Sequence, residues 1–155
     1  IRLGSTTPSF DLETKIDKEF ALPKLDDNIL KNISKNFIGE ILQVPPIFSA
    51  KRINGKRAYQ YARNNDELVL KPNTITIHNL GLKIINKNTL SFNCHCSKGT
   101  YIRALARDLG EILQVGGTLT SLRRTKSGNF DVENAWDLNE LLETVKSCAP
   151  ATKNE

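Results

Sequence analysis

The 155 residues, 39% hydrophobic and 25% charged, suit one soluble globular domain with a single core, and no apolar run approaches the roughly 20 residues that a membrane-spanning helix needs. Net charge is +5, yet the stretch from Lys51 to Lys126 holds 14 Lys or Arg against 4 Asp or Glu, while the rest holds 8 against 13. Basic charge concentrated in this way is the footprint of a phosphate-bearing partner, nucleic acid first; the alternative is solvated Lys and Arg spread over several faces.

The chain begins at Ile1 and contains no methionine, so a segment upstream of Ile1 is expected. Ile1 to Lys18 reads as a short strand followed by a polar excursion through Gly4, Pro8 and Ser9. After Pro23, Leu25, Ile29, Ile33 and Phe37 recur every four residues, which predicts a helix, and Asp26 and Asp27 suit its positive N-terminal end. Ile38 to Val44 fits a short strand stopped by Pro45-Pro46. Beyond a basic loop, Gly55 leads into a predicted helix from Lys56 to Asn64, with Ala58 and Ala62 on one side.

Three strand-like runs follow. Ile75 and Ile77 alternate with Thr74, Thr76 and His78; Leu82 and Ile84 belong to a second run; Leu90 to Cys96 is the third. Asn86-Lys87-Asn88 predicts an antiparallel hairpin between the second and third. Pleating sets Leu90, Phe92, Cys94 and Cys96 on one face and His95 on the other, so Cys94, His95 and Cys96 do not make a metal site, and His78 reads as a solvent-side residue. Three cysteines, an odd number, argue against a disulfide framework and for a reducing, cytoplasmic setting. Thr100 is expected to cap a helix whose apolar stripe is Ile102, Leu105, Ala106, Leu109, Ile112 and Leu113, ended by Gly116-Gly117. A strand near Gly128 to Val132 and a helix carrying Leu138, Leu141, Leu142 and Val145 complete one α+β domain, with a mixed, mainly antiparallel sheet flanked by helices.

Three places carry unusual chemistry. Pro45 to Arg63 delivers Lys51, Arg52, Lys56, Arg57 and Arg63 with Tyr59 and Tyr61 and no acid from Lys51 onwards; it either clamps phosphates and stacks bases or is a helix with a solvated basic face. Cys96 to Arg103 is a strand that turns on Gly99 into a helix entrance, a place attractive to an anion. There Arg103, on the flank of the apolar stripe beside Tyr101 and aligned with Arg107, either pairs with a carboxylate or phosphate in a cleft or is simply exposed. Leu122-Arg123-Arg124-Thr125-Lys126-Ser127-Gly128 either contacts phosphates or is a charge-protected edge. No Ser-His-Asp arrangement, phosphate-binding loop or dinucleotide fingerprint is present.

Ile47-Phe48-Ser49-Ala50-Lys51 with Gly55 and Ala58-Tyr59, Cys96 to Arg103 with Leu105-Ala106 and Asp108-Leu109-Gly110, and Leu119 with Leu122-Arg123-Arg124 and Gly128-Asn129-Phe130 resemble the TruB-type tRNA pseudouridine synthases. Leu3-Gly4, Thr6-Thr7 and Asp11-Leu12-Glu13 resemble the same family's segment just after its catalytic region, so the likeness runs over about residues 1 to 145. The resemblance implies isomerisation of uridine 55 in the TΨC arm of tRNA to pseudouridine, with no metal and no cofactor. It implies a base flipped out of its loop and attacked by an aspartate. Arg103 would hold that carboxylate, Tyr101 would line the pocket and Leu122 would supply an apolar wall. Lys51, Arg52, Lys56, Arg57, Lys98, Arg123, Arg124 and Lys126 would contact RNA.

The family's nucleophile lies in a Gly-x-Leu-Asp motif that is absent here, as is the tyrosine that precedes the segment like Leu3-Gly4. Asp11 falls in a different family segment, and Asp108 lies across the helix from Arg103, so neither takes the role. Residues 1 to 145 are therefore expected to be part of a synthase catalytic domain, the later part, with Arg103 deprived of its carboxylate. Residues 146 to 155 are expected to be a tail, with no complete C-terminal RNA-binding domain, and the chain alone is expected to be inactive. An open sheet edge or exposed core face is the structural corollary: either the missing N-terminal segment or another chain covers it, or the fragment is unstable. The rival reading is a noncatalytic tRNA-binding or RNA-folding module.

Overall fold

The computed structural model describes residues 1–53, 55–63 and 70–148. The chain divides into two compact units, Ile1–Ser121 and Leu122 onwards. The first holds β1 (Arg2–Leu3), β2 (Ser5–Thr6), β3 (Lys18–Glu19), α1 (Asp27–Lys35), β4 (Gly39–Gln43), β5 (Arg52–Ile53), β6 (Lys56–Arg57), α2 (Ala58–Arg63), β7 (Asn73–Asn86), β8 (Thr89–Cys96), α3 (Ile102–Ile112) and β9 (Gly117–Thr118). Its main sheet runs β4-β7-β8-β1-β9, every pairing antiparallel, as the α+β reading expects.

The core forms where α1 and α3 meet this sheet: Leu30, Ile33 and Phe37 join Ile75, Ile77 and Leu80 of β7, Leu90 of β8, Leu3 of β1 and Leu105, Ala106 and Leu109 of α3. In α1, the Asp26 carboxylate accepts the Ile29 N–H at 2.8 Å and caps the helix, a more specific role than the favourable charge read from the sequence. The buried row, however, is Leu30-Ile33-Phe37, and Ile29 is exposed. A strict four-residue spacing drifts around a helix of 3.6 residues per turn, so it cannot stay on one face.

The three predicted strand runs are two strands. The first and second merge into the 14-residue β7, which pairs with β8 across the predicted hairpin, Ile84 opposite Leu90 and Leu80 opposite Cys94. A register shift between Ile77 and Asn79 leaves both His78 and Asn79 exposed and moves the buried series from Ile75 and Ile77 to Leu80. Such a bulge changes side-chain parity without ending a strand. The His78 and His95 rings lie side by side on the solvent face, their centroids 4.7 Å apart. Cys94 and Cys96 are free, half-buried thiols on the other face, and burial, with Cys96 adding, pushes the Cys94 thiol up to about 12.

Three boundaries differ from expectation. The helix predicted from Lys56 starts at Ala58, because Lys56–Arg57 pairs with Arg52–Ile53 in a hairpin turning at Gly55; Asn64 lies outside the described residues. Thr100 does not cap α3: its hydroxyl donates to the Ser97 carbonyl at 2.9 Å, and the N-cap residue is Tyr101, without a side-chain capping bond. Gly116-Gly117 does not end α3 either. The helix stops at Ile112, Gln114 takes the left-handed turn (φ 57°), and Gly117 already belongs to β9. Ile112, placed on the apolar stripe by the sequence, is consequently exposed in the last turn.

In the second unit, β10 (Lys126–Ser127) and β11 (Phe130–Asp131) form a hairpin around Gly128, in place of one strand to Val132. A 3-10 turn (Val132–Asn134) and α4 (Leu138–Cys148) follow, and Leu138, Leu141, Leu142 and Val145 are all exposed. No helix among the described residues is long and apolar enough to cross a membrane.

Candidate functional site

At Arg103, distant parts of the first unit converge on a charged group. The arginine sits in the first turn of α3, and its side chain is only 21% exposed, so the reading of two exposed arginines fails. Nη1 donates to Asp11 Oδ2 at 2.8 Å, and Nη2 donates to the Phe48 carbonyl. Glu13 Oε2 is 3.8 Å from Nη1. Arg103 is paired with a carboxylate other than the expected nucleophile: Asp11, 92 residues away in sequence.

Asp11 is itself held in place. Its Oδ1 accepts the Glu13 N–H at 3.0 Å, its carbonyl accepts the Thr7 hydroxyl at 2.7 Å, and it bridges in parallel to Leu119. Phe10, immediately before it, has φ 64°, a conformation that a bulky residue adopts only where its surroundings impose it. The Leu119 N–H donates to the Phe10 carbonyl at 2.9 Å and is one such constraint.

Burial raises the Asp11 carboxyl pKa, but the Ser9 hydroxyl, the Glu13 amide and the Arg103 charge outweigh it, and the net shift is downward. A depressed native pKa means that the folded chain binds this proton later than the unfolded chain. The stabilisation is therefore present above the ordinary carboxylate range and lost as pH falls through the lowered value. Thermal melts of the wild type and Asp11→Asn should differ at pH 7 and draw together as pH falls below the ordinary carboxylate range, and a constant difference throughout would contradict this.

Arg107, one turn beyond Arg103, serves a different purpose. It donates to Asp108 Oδ1 from Nε at 2.7 Å and to the Val44 carbonyl from Nη2 at 3.1 Å, and its guanidinium lies 4.9 Å over the Phe10 ring. Burial pushes the Asp108 carboxyl pKa up despite the opposing Arg107 charge, so this pair is a structural tie with a desolvation cost.

Tyr101 is half-buried, its backbone bracketed by the Gln43 side chain, and Lys98 is exposed beside the Gly99 turn (φ 84°). Lys51 is occupied: its Nζ donates to Asn73 Oδ1 at 2.8 Å. Arg52 is exposed and opposite Arg57 in the β5–β6 hairpin; the side chains of Lys56 and Arg57 lie outside what the structure describes. Leu122, Arg123, Arg124 and Lys126 belong to the second unit and are exposed. No group of three or more His, Cys, Asp or Glu able to hold a metal ion occurs among the described residues. The sequence reading missed Asp11, Gln43 and the Phe48 carbonyl. Gln43 had a signal, as a polar residue at the inward parity of Gly39 and Ile41, whereas nothing local to Asp11 points to Arg103.

Residues 1–102 match the family model for the N-terminal domain of TruB family pseudouridylate synthases. The chain belongs to the TruB family. Residues 103–153 of this TruB chain match the model for the C-terminal domain of tRNA pseudouridylate synthase B. It is 43% identical over 145 residues to the tRNA pseudouridine synthase B of Bacteroides fragilis, covering 94% of the chain and 62% of that protein. With the enzyme of the same name from Flavobacterium johnsoniae, identity is 42% over 144 residues, 93% of the chain and 63% of the relative. The TruB chain thus spans less than two thirds of the length of these relatives. Among solved structures, a chain in the crystal structure of a Cbf5-Nop10-Gar1 complex superposes with a TM-score of 0.58 at 28% identity, over 78% of this chain and 32% of that one.

Proposed function

We propose that this chain is part of a tRNA pseudouridine synthase that isomerises uridine 55 in the TΨC loop and works in the cytoplasm. The observation that carries the reading is the 43% identity, over 94% of the chain, to a relative named as a tRNA pseudouridine synthase. In the reaction an aspartate outside these 155 residues attacks the flipped nucleotide, the glycosidic bond breaks, and the uracil is rejoined through carbon. Arg103 orients that carboxylate. Its hydrogen bonds to Asp11 and Phe48 occupy one N–H on each Nη among the described residues, and a guanidinium has five, so donors remain for a second carboxylate. Tyr101 lines the pocket on the same unit.

Arg52, Lys56, Arg57, Lys98, Arg123, Arg124 and Lys126 are proposed as phosphate contacts, with Lys51 shaping the loop that carries the first of them. The affinity of the full-length protein for tRNA should fall linearly on a log–log plot against salt. Each phosphate-contacting residue changed to Ala should reduce the slope by about 1. Affinity insensitive to salt would exclude this RNA surface. The activity itself is tested by incubating full-length protein with unmodified tRNA transcript and mapping pseudouridine. Conversion at the TΨC loop is expected from the full-length protein, and none from residues 1–155 alone. Tight, salt-sensitive tRNA binding with no conversion would establish the noncatalytic RNA-binding alternative instead.

A further inference from the structure

Residues 43 to 48 leave the end of β4 and run along the first turns of α3, touching it at three points. The Gln43 side chain, 1% exposed, accepts the Tyr101 N–H at Oε1 (2.8 Å) and donates from Nε2 to the Tyr101 carbonyl (3.2 Å). The Val44 carbonyl accepts from Arg107 at 3.1 Å, and the Phe48 carbonyl accepts from Arg103. Between these contacts lie Pro45 and Pro46, whose rings fix φ, and Pro46 is fully buried. The segment is a stiff strut anchored at both ends on the helix that carries Arg103.

Helix α3 starts without a side-chain cap of its own. The Tyr101 carbonyl closes its first turn by accepting the Leu105 N–H at 3.1 Å, and Gln43 binds that same carbonyl while also taking the Tyr101 N–H. A primary amide matches both groups at once, as one rung of an antiparallel ladder would. We propose that Gln43 is a positioning residue for Arg103: it fixes where α3 begins, and thereby the angle at which the guanidinium two residues later meets Asp11 and Phe48. A rotation of the first turn by a fraction of a residue would carry the guanidinium off both partners. The inference rests on the reading of Arg103 as an active-site residue.

The test uses full-length protein with Gln43→Met, which keeps volume and loses both hydrogen bonds, and Gln43→Glu, which keeps the acceptor for the Tyr101 N–H and loses the donor. Two readouts are taken: kcat and KM for tRNA, and the Arg103 Nε–H resonance of 15N-arginine-labelled protein, assigned by its disappearance in Arg103→Lys. Gln43→Met should lower kcat by about 10- to 100-fold with KM within about threefold, and shift or broaden the Arg103 signal. Gln43→Glu should recover part of both. An unchanged Arg103 resonance in folded Gln43→Met overturns the inference, whether kcat is retained or falls together with stability. Should Gln43→Met not fold, Gln43→Glu decides alone, through an altered or an unaltered resonance. If the wild type makes no pseudouridine, the functional reading fails while the resonance still decides the role of Gln43.

Discussion

Arg103→Ala in the full-length protein is expected to lower kcat for pseudouridine formation by about 100-fold or more, while tRNA affinity changes by less than about threefold. Arg103 sits largely buried between a carboxylate and a carbonyl, so it has little surface to give to a long RNA backbone. Its contribution should appear where a charged group must be held during the reaction. Asp11→Asn retains an acceptor for Arg103 but removes the charge. The bond stays charge-assisted through the guanidinium and loses only the carboxylate's share, so a loss of about 1 kcal/mol, roughly fivefold in kcat, is expected. Release of tritium from tRNA labelled at uridine C5 measures turnover, since C5 loses its hydrogen when it becomes the glycosidic atom; filter binding measures affinity. A parallel fall in turnover and binding would make Arg103 a binding residue.

The contrast between Arg103 and Asp11 marks where sequence reading succeeds and stops. Arg103 stands on the flank of an apolar stripe in the first turn of a helix, and that pattern is local: it separates this arginine from Lys and Arg in loops. Asp11 has no such pattern, because what selects it is a turn around a left-handed Phe10 and a bridge to Leu119, both set by chain segments more than a hundred residues apart. The same division runs through the fold. The β7–β8 hairpin and α1 are legible, since hydrophobic periodicity and turn residues act over ten residues or fewer. The continuity of β7 through His78 and Asn79 is not, because a bulge breaks the alternation that defines a strand on paper while its hydrogen-bonded partner β8 holds it together. Lys56–Arg57 is a further case: two basic residues before an apparent helix become strand because Arg52–Ile53 is there to pair with them.

Gly110→Ala is expected to destabilise the first unit by about 3 kcal/mol or more and to lower its melting temperature by about 10 °C or more. A Cβ on Gly110 would stand 2.2 Å from Gly116 C and 2.2 Å from Gly117 N; one on Gly117 would stand 2.2 Å from the Ala106 carbonyl oxygen. Neither glycine is needed for a left-handed conformation. What they permit is a helix lying directly on a strand, backbone to backbone. The atoms in the way are main chain, so no rotamer change relieves the clash, and α3 must lift from β9. Ala has the higher helix propensity, worth about 1 kcal/mol over Gly at an unconstrained position. A neutral or stabilising Gly110→Ala, read by thermal or chemical unfolding, would therefore show that the contact is not as close as the structure has it. Because α3 carries Arg103, the lift should also move the guanidinium relative to Asp11, whose backbone is bonded to the strand side at Leu119. Gly110→Ala in the full-length protein, held at a temperature where it remains folded, should then lose turnover as well as stability. Gly128→Ala in the second unit, where a Cβ meets nothing within 4 Å but φ is 58°, should lose stability alone.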